Sequence, residues 1–167
     1  FNTNNSPFNS TAEFENLKEE DYNSTFSFME EENNRSVRFM ELIDDYEKLS
    51  YEDFKEIKYD QQYPDSILYI GNISQIFDLD KSEFPNYENL IDLIQKWDRR
   101  GDTENIGAAQ WSLYYSYMLD VLSENDLSVK DTIDIKFHLD ALEKTKDRLM
   151  KNFGKLDIRL GLSLIHI

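Results

Sequence analysis

Two polar segments near the start of the sequence contain residue types that could stabilise negative charge. The first, residues 2–8, reads Asn-Thr-Asn-Asn-Ser-Pro-Phe. Asn residues before a Pro favour an ordered turn, and an Asn amide held in such a turn is a fixed hydrogen-bond donor for a developing negative charge. The second, residues 33–36, reads Asn-Asn-Arg-Ser. An Arg at the start of a helix can bind a carboxylate or hold a turn in place.

A third polar segment, residues 97–102, reads Trp-Asp-Arg-Arg-Gly-Asp and leads to the small residues Ala108 and Ala109. Its glycine is typical of a tight loop. We interpret this segment as a helix–loop–helix corner with a buried Trp, and not as a place for chemistry.

The composition excludes several classes of function. The chain of 167 residues has a formal net charge of -16, which argues against binding to nucleic acid or to an anionic membrane because both need a basic patch. The chain has no Cys, so disulfides and thiol chemistry are absent. His138 and His166 provide almost no material for a His-based catalytic or zinc site. No apolar run approaches the roughly 20 residues of a membrane span.

The segments that could do chemistry lie in or beside a long irregular region. Residues 1–34 have little periodicity, and long ordered loops in compact proteins are usually functional. From Arg35 the pattern changes, and apolar residues recur at helical spacing as far as Leu49. We therefore expect the first helix to begin at Arg35.

Two short helices are expected next. Ser50 is the predicted N-cap of the first, with Asp53 in the capping-box position, and this helix is expected to end near Tyr59. The second is expected over residues 64–76, which begin with Pro and carry isoleucines at helical spacing around Gly71.

Three longer helices complete the expected architecture. They are predicted over residues 85–98, 105–122 and 130–152, with Gly154 ending the last one. The second of them is apolar nearly all round, which is typical of a helix inside a larger body. The start of the third alternates like a strand, and residues 157–159 could begin a strand. The predicted fold class is mainly α, with about six helices and an irregular N-terminal segment.

Together these segments resemble the β chain of the penicillin acylase family, also called penicillin amidases, which belongs to the N-terminal nucleophile hydrolases. The resemblance extends over residues 1–161. It rests on the order of five stretches: residues 2–8, 33–43, 50–53, 97–111 and 152–161.

The resemblance implies that this chain is an internal piece of a β chain whose parent enzyme has the αββα fold. In such enzymes the β chain begins with a Ser whose own α-amine is the general base, and an N-acyl amide bond is hydrolysed through an acyl-enzyme. Residues 1–34 would then be an active-site loop segment, and residues 35–161 a helical portion of the β chain. The α chain and the rest of the β chain are the implied partners, and the implied location is the periplasm.

The resemblance also assigns two site residues. Asn4 matches the Asn that holds the oxyanion of the tetrahedral intermediate, with Asn5 as the alternative if the motif is shifted by one place. Arg35 matches the active-site Arg that orients this Asn and the nucleophile region. The chemistry requires no cofactor. Many members hold a structural calcium ion through carboxylates; Asp21 is the nearest candidate, but the acidic run at residues 19–21 is typical of a solvated face, and we assign no metal ligand.

The nucleophile is expected to lie outside this sequence, because none of the serines at positions 6, 24, 36 and 50 follows a plausible cleavage junction. The chain alone is therefore expected to lack acylase activity. The last residues, 162–167, read Leu-Ser-Leu-Ile-His-Ile, which is the translation of a common sequencing adapter. We interpret them as adapter read-through, the alternative being an ordinary terminal strand.

Two other functions compete with the acylase interpretation. A non-enzymatic helical interaction module would use its acidic faces to bind a basic partner, and would be compact and monomeric with an exposed apolar groove. A metal-assisted hydrolase would need a convergent carboxylate cluster, whereas the sequence has only charge runs. The acyl substrate stays open among β-lactam side chains, acyl-homoserine lactones and other N-acyl amides.

Overall fold

A computed structural model describes residues 6–11, 13–23, 33–44, 46–69, 71–127 and 131–164. Within these ranges the chain is mainly helical, with six α-helices and no strand. The predicted fold class is therefore confirmed. The chain divides into two compact units, Phe1–Leu68 and Tyr69–Ile167.

In the described part of the first unit there are two α-helices, α1 (Asn34–Ile43) and α2 (Tyr51–Lys58). The described residues before α1 form short 3₁₀ turns: Pro7–Asn9, Glu13–Glu15 and Glu19–Asp21. This irregular stretch agrees with the absence of periodicity in its sequence.

Helix α1 is shorter than its apolar spacing predicts. It ends at Ile43 with Asp44 as its C-cap, and Tyr46 and Leu49 lie beyond it with about two fifths of their surface exposed. An acidic residue at a helix C-terminus interacts unfavourably with the helix dipole. Because neither Tyr46 nor Leu49 is buried, packing does not offset that cost.

Helix α2 begins with the predicted capping box. The Ser50 hydroxyl accepts a hydrogen bond from the Asp53 backbone N–H at 3.2 Å, and the Asp53 carboxylate accepts one from the Ser50 backbone N–H at 2.9 Å. These bonds to Ser50 lower the pKa of the Asp53 carboxyl below its usual value. The helix ends at Lys58, one residue before the predicted end.

The helix predicted over residues 64–76 is wrong. Gly71 has a φ of +50°, which lies in the left-handed region and interrupts a right-handed helix. Among the described residues of this stretch only a 3₁₀ helix forms, Ile73–Phe77, and it buries Ile73 and Ile76 completely. The apolar spacing therefore indicated correctly that Ile73 and Ile76 are core residues, but the backbone that carries them forms a turn and a 3₁₀ helix and not an α-helix.

Four α-helices lie among the described residues of the second unit: α3 (Glu88–Gln95), α4 (Ala108–Glu124), α5 (Ile135–Phe153) and α6 (Leu160–Leu164). Helix α4 packs mainly along α5 and also contacts α3 and α6. Most of the core side chains come from these helices: Leu90, Ile91, Ile94, Trp111, Tyr114, Met118, Val121, Leu142 and Leu149. The central position of α4 is consistent with the prediction that this apolar helix lies inside a larger body.

The alternating pattern that resembled a strand belongs to the start of α5. Asp134 is its N-cap, and the Asp134 carboxylate accepts a hydrogen bond from the Lys136 backbone N–H at 3.0 Å. Ile133 is buried just before the helix. Gly154 ends the helix with a φ of +69°, as predicted.

The extended segment expected at residues 157–159 is reduced to one bridge. Arg159 pairs with Ile106 in a single antiparallel β-bridge, and α6 follows at once. Residues 162–164 continue α6, whereas residues 165–167 lie outside the described residues. The adapter interpretation of residues 162–167 stays a prediction.

Candidate functional site

The turn after the predicted oxyanion residue is held by its own side chains. Asn4 lies outside the described residues, but Ser6, two positions later, is fully buried. The Ser6 hydroxyl accepts a hydrogen bond from the Phe8 backbone N–H at 3.2 Å. The Ser6 carbonyl accepts one from Ser10 Oγ at 2.8 Å. The chain therefore leaves the Asn-rich motif through an ordered turn.

Asn16 closes the loop that follows this turn. Its Oδ1 accepts hydrogen bonds from the backbone N–H groups of Ser10 and Thr11, both at 2.9 Å, and from Thr11 Oγ1 at 3.0 Å. The Phe8 and Tyr22 rings meet across the same loop with their centroids 6.2 Å apart. Asn16 was not predicted as a loop-closing residue, because an isolated Asn in a polar segment carries no local signal for such a contact.

The second predicted segment is a capped helix start, as expected. Asn33 Oδ1 accepts hydrogen bonds from the backbone N–H groups of Arg35 at 3.0 Å and Ser36 at 3.1 Å. Ser36 Oγ accepts one from the Asn33 backbone N–H at 3.2 Å and completes the capping box. Arg35 lies in the first turn of α1 and is exposed. Its charge adds to the positive end of the helix dipole, and both attract an anionic group.

Helix α1 is anchored by a charged cluster one turn beyond Arg35. Arg38 binds Asp60 through two hydrogen bonds, Nε to Oδ2 at 2.9 Å and Nη2 to Oδ1 at 3.2 Å. Arg38 Nη1 also binds Glu41 at 3.2 Å. The hydrogen bonds to Asp60 raise the pKa of the Arg38 guanidinium, which stays charged. The Glu41 carboxylate in turn accepts a hydrogen bond from the Asp65 backbone N–H at 3.0 Å.

A further contact ties the residue before Arg35 to the end of the first unit. Asn34 Nδ2 donates to the Leu68 carbonyl at 3.1 Å, and Asn34 Oδ1 accepts from the Leu68 N–H at 2.6 Å. Asn34 lies in the polar segment predicted as a helix start, but its contact with Leu68 was not predicted, and neither Arg38 nor Asp60 was identified from the sequence. Their partners are more than twenty positions away, so local spacing gives no signal for these contacts.

The third polar segment is a helix–loop–helix corner with a buried Trp, as predicted. Trp97 Nε1 donates to the Arg100 carbonyl at 2.7 Å, and the Trp97 ring stacks on Trp111 with their centroids 5.6 Å apart. The Asp98 carboxylate accepts hydrogen bonds from the Arg100 N–H at 3.0 Å and from Asn105 Nδ2 at 2.7 Å. These contacts give the segment a structural role.

Arg99 in the same corner is held by aromatic side chains. Its backbone has a φ of +68°, and its guanidinium lies 3.8 Å from the centroid of the Phe77 ring. Arg99 Nη1 also donates to the Tyr69 hydroxyl at 2.6 Å. Arg99 therefore fixes the corner to the 3₁₀ segment Ile73–Phe77.

Gln110 connects the start of α4 to the chain that leaves α5. Its side chain is fully buried and accepts a hydrogen bond from the Gly107 backbone N–H at 2.8 Å. Its amide nitrogen donates to the carbonyls of Leu156 and Ile158. A buried amide with these partners is satisfied. It was missed because its residue type alone does not predict burial.

The described histidine lies in the core. His138 Nδ1 is 2.6 Å from the Tyr114 hydroxyl, and both side chains are fully buried between α4 and α5. Burial lowers the pKa of His138 and raises the pKa of Tyr114 far above its usual value. Both groups are therefore neutral near pH 7. The described histidine is therefore a core residue that is closed off from solvent.

The described residues contain no group of three or more His, Asp or Glu side chains placed to hold a metal ion. Asp21, the nearest calcium candidate, is exposed in the 3₁₀ turn Glu19–Asp21. A calcium site in the parent enzyme stays a prediction. Among the described helices, none is both long and apolar enough to cross a membrane.

The family assignment comes from the sequence as a whole. The model of the family described as Penicillin amidase matches residues 1–157, which include both candidate segments and helices α1 to α5. No curated protein and no solved structure matches the chain. Because the match extends over nearly the whole sequence, the chain belongs to the penicillin amidase family.

Proposed function

We propose that this chain is part of an amidohydrolase that cleaves N-acyl amides through an acyl-enzyme, and that it supplies an oxyanion donor and the scaffold around it. The observation that carries the proposal is the family match over residues 1–157, which includes the Asn-rich motif and the Arg35 helix start. Acyl amides of this class include β-lactams with an acyl side chain.

The proposed nucleophile is a Ser at the N-terminus of the mature β chain, preceding this segment. Its hydroxyl oxygen attacks the amide carbonyl carbon, and its proton passes to the Ser α-amine. The amine then gives that proton to the leaving nitrogen as the C–N bond breaks. Water, activated by the same amine, attacks the acyl-enzyme, releases the carboxylic acid and restores the Ser.

Asn4 is the proposed side-chain donor to the oxyanion of both tetrahedral intermediates. A donor must be fixed before the charge develops, because reorganisation during the reaction would cancel its benefit. The buried Ser6 and its bonds to Phe8 and Ser10 support this role, since they order the backbone two residues after Asn4. Loss of one such donor typically costs about 10²–10³ in kcat.

Arg35 is the proposed positioning group for Asn4 and the nucleophile region. The capping box of Asn33 and Ser36 supports this role, because it holds the first turn of α1 and so the backbone that carries Arg35. A periplasmic location and a structural calcium ion are part of the same proposal, and no step of the chemistry depends on either.

The test uses the complete precursor protein that contains this segment. It is incubated with a chromogenic N-acyl anilide, and the mature β chain is then examined by mass spectrometry after rapid quenching. We expect amine release and an acyl adduct on the N-terminal Ser. The isolated 167-residue chain is the matched control and is expected to give no turnover.

Two outcomes would contradict the proposal. One is a complete, processed protein that hydrolyses no amide across a panel of acyl groups. The other is turnover by the isolated chain that Asn4→Ala abolishes, because the nucleophile would then lie within these residues.

A further inference from the structure

Helix α1 is joined to residues 60–68 at three separate points. Asn34 binds the Leu68 backbone, Glu41 binds the Asp65 backbone, and Arg38 binds the Asp60 carboxylate. Asn34 lies in the first turn of the helix, Arg38 in the second and Glu41 in the last. They fix its axial position and its rotation.

The Arg38–Asp60 contact is the strongest of the three. It is bidentate, with bonds of 2.9 and 3.2 Å, and a planar guanidinium matches a carboxylate in this arrangement. The two side chains have 20% and 17% of their surface exposed, so solvent screens the pair less than it screens a surface pair. The Asp60 Oδ2 also accepts a hydrogen bond from the Gln62 backbone N–H at 3.2 Å, which fixes the carboxylate.

Arg38 lies three residues after Arg35, and side chains three apart on a helix are neighbours. Rotation of α1 would therefore move both together. The charge of Arg38 is matched by two carboxylates: Asp60 binds its Nε and Nη2, and Glu41 binds its Nη1. This reduces the repulsion that two adjacent arginines would otherwise exert.

We propose that Arg38 is a positioning residue for the hydrolysis, acting through Arg35 by means of its bidentate contact with Asp60. This inference rests on the proposed function, since it requires that Arg35 act at the active site. Arg38 itself is not expected to touch the substrate. A misplacement of about 1 Å at an active site can cost up to about 10²-fold in rate.

The experiment is a double-mutant cycle in the complete processed enzyme, with kcat/KM for amide hydrolysis as the first readout. The variants are Arg38→Ala, Arg35→Ala and the double variant. Lys55→Ala is the matched control, because it breaks an exposed ion pair with Glu52 in the same unit, and such pairs contribute little. Asp60→Asn is a second variant that keeps the size of the side chain if Arg38→Ala does not fold.

We expect Arg38→Ala and Asp60→Asn to lower kcat/KM by about 10–100-fold in the wild-type background. In the Arg35→Ala background the same changes should lower it by less than about threefold, because residues that act as a unit are non-additive. Equal losses in both backgrounds, or no loss in the wild-type background, would overturn the inference, since a merely structural role predicts additivity.

Hydrogen exchange across residues 34–43 is the second readout, and it does not depend on activity. Arg38→Ala should speed exchange in α1 relative to Lys55→Ala, and unchanged exchange would overturn the inference. A wild-type enzyme without amidase activity would instead refute the proposed function, and with it any catalytic role for Arg38. Faster exchange in that case would identify Arg38 as a purely structural anchor.

Discussion

Gly107 offers a sharp test of how the second unit is packed. It precedes α4 with a φ of +102°, a conformation that side chains with a Cβ rarely adopt. A Cβ built at this position would lie 2.8 Å from Trp97 Cβ and 2.9 Å from the Leu93 carbonyl oxygen. Gly107→Ala therefore combines backbone strain with a clash against atoms that cannot move without disturbing α3.

The expected cost follows from these two effects. Backbone strain of this kind costs about 1–3 kcal/mol, and overpacking adds about 1–3 kcal/mol. The free energy of unfolding should therefore fall by roughly 2–6 kcal/mol, which is a large part of the stability of a small domain. With a urea m-value of about 2 kcal/mol/M, the urea midpoint should fall by roughly 1–3 M.

The assay is urea unfolding followed by Trp fluorescence. The chain has two Trp residues, and both are buried and stacked beside Gly107, so the signal reports this corner directly. Gly154→Ala is the matched control: its φ is +69°, but no atom lies within 4 Å of the added Cβ, and the expected cost is about 1 kcal/mol. Equal costs for the two variants would refute the packing described for this corner.

Two other predictions concern pH and helix capping. Burial lowers the pKa of His138 in the folded protein, whereas a His in the unfolded chain has a pKa of about 6.5. Below pH 6.5 the unfolded state therefore binds more protons than the folded state. The free energy of unfolding should fall on acidification from pH 6.5, by at most about 1.4 kcal/mol per pH unit. His138→Asn should flatten this slope in urea titrations from pH 7 to pH 5, and an unchanged slope would contradict the burial of His138. Asn33→Ala should destabilise α1 by about 1 kcal/mol, because two backbone N–H groups lose their acceptor. Helix content measured near the unfolding transition should therefore fall in this variant. Lys55→Ala should leave the helix content unchanged.

Local sequence signals predicted local structure well. The Ser50 and Asp53 capping box and the Gly154 stop each depend on a few neighbouring residues, and all were confirmed. The Arg35 helix start was confirmed for the same reason. Apolar spacing was less reliable: it predicted a helix over residues 64–76, where Gly71 turns the chain.

Contacts between distant residues could not be predicted from spacing. Arg38 and Asp60 are 22 positions apart, and Gln110 and Ile158 are 48 apart. Many surface Arg and Asp residues have the same local context, so nothing in the sequence distinguishes a bidentate pair from solvated charges. The candidate site was predicted through the family motif, and its supporting contacts became visible only in the structure.

The most direct test of the central claim compares Asn4→Ala with Asn5→Ala in the complete processed enzyme. If Asn4 donates to the oxyanion, Asn4→Ala should lower kcat for amide hydrolysis by about 10²–10³-fold with little change in KM. Asn5→Ala, one position further along the chain, should retain most of the activity. An Asn4→Ala enzyme with wild-type kcat would contradict the proposed oxyanion role, and a large loss in Asn5→Ala alone would transfer that role to its neighbour.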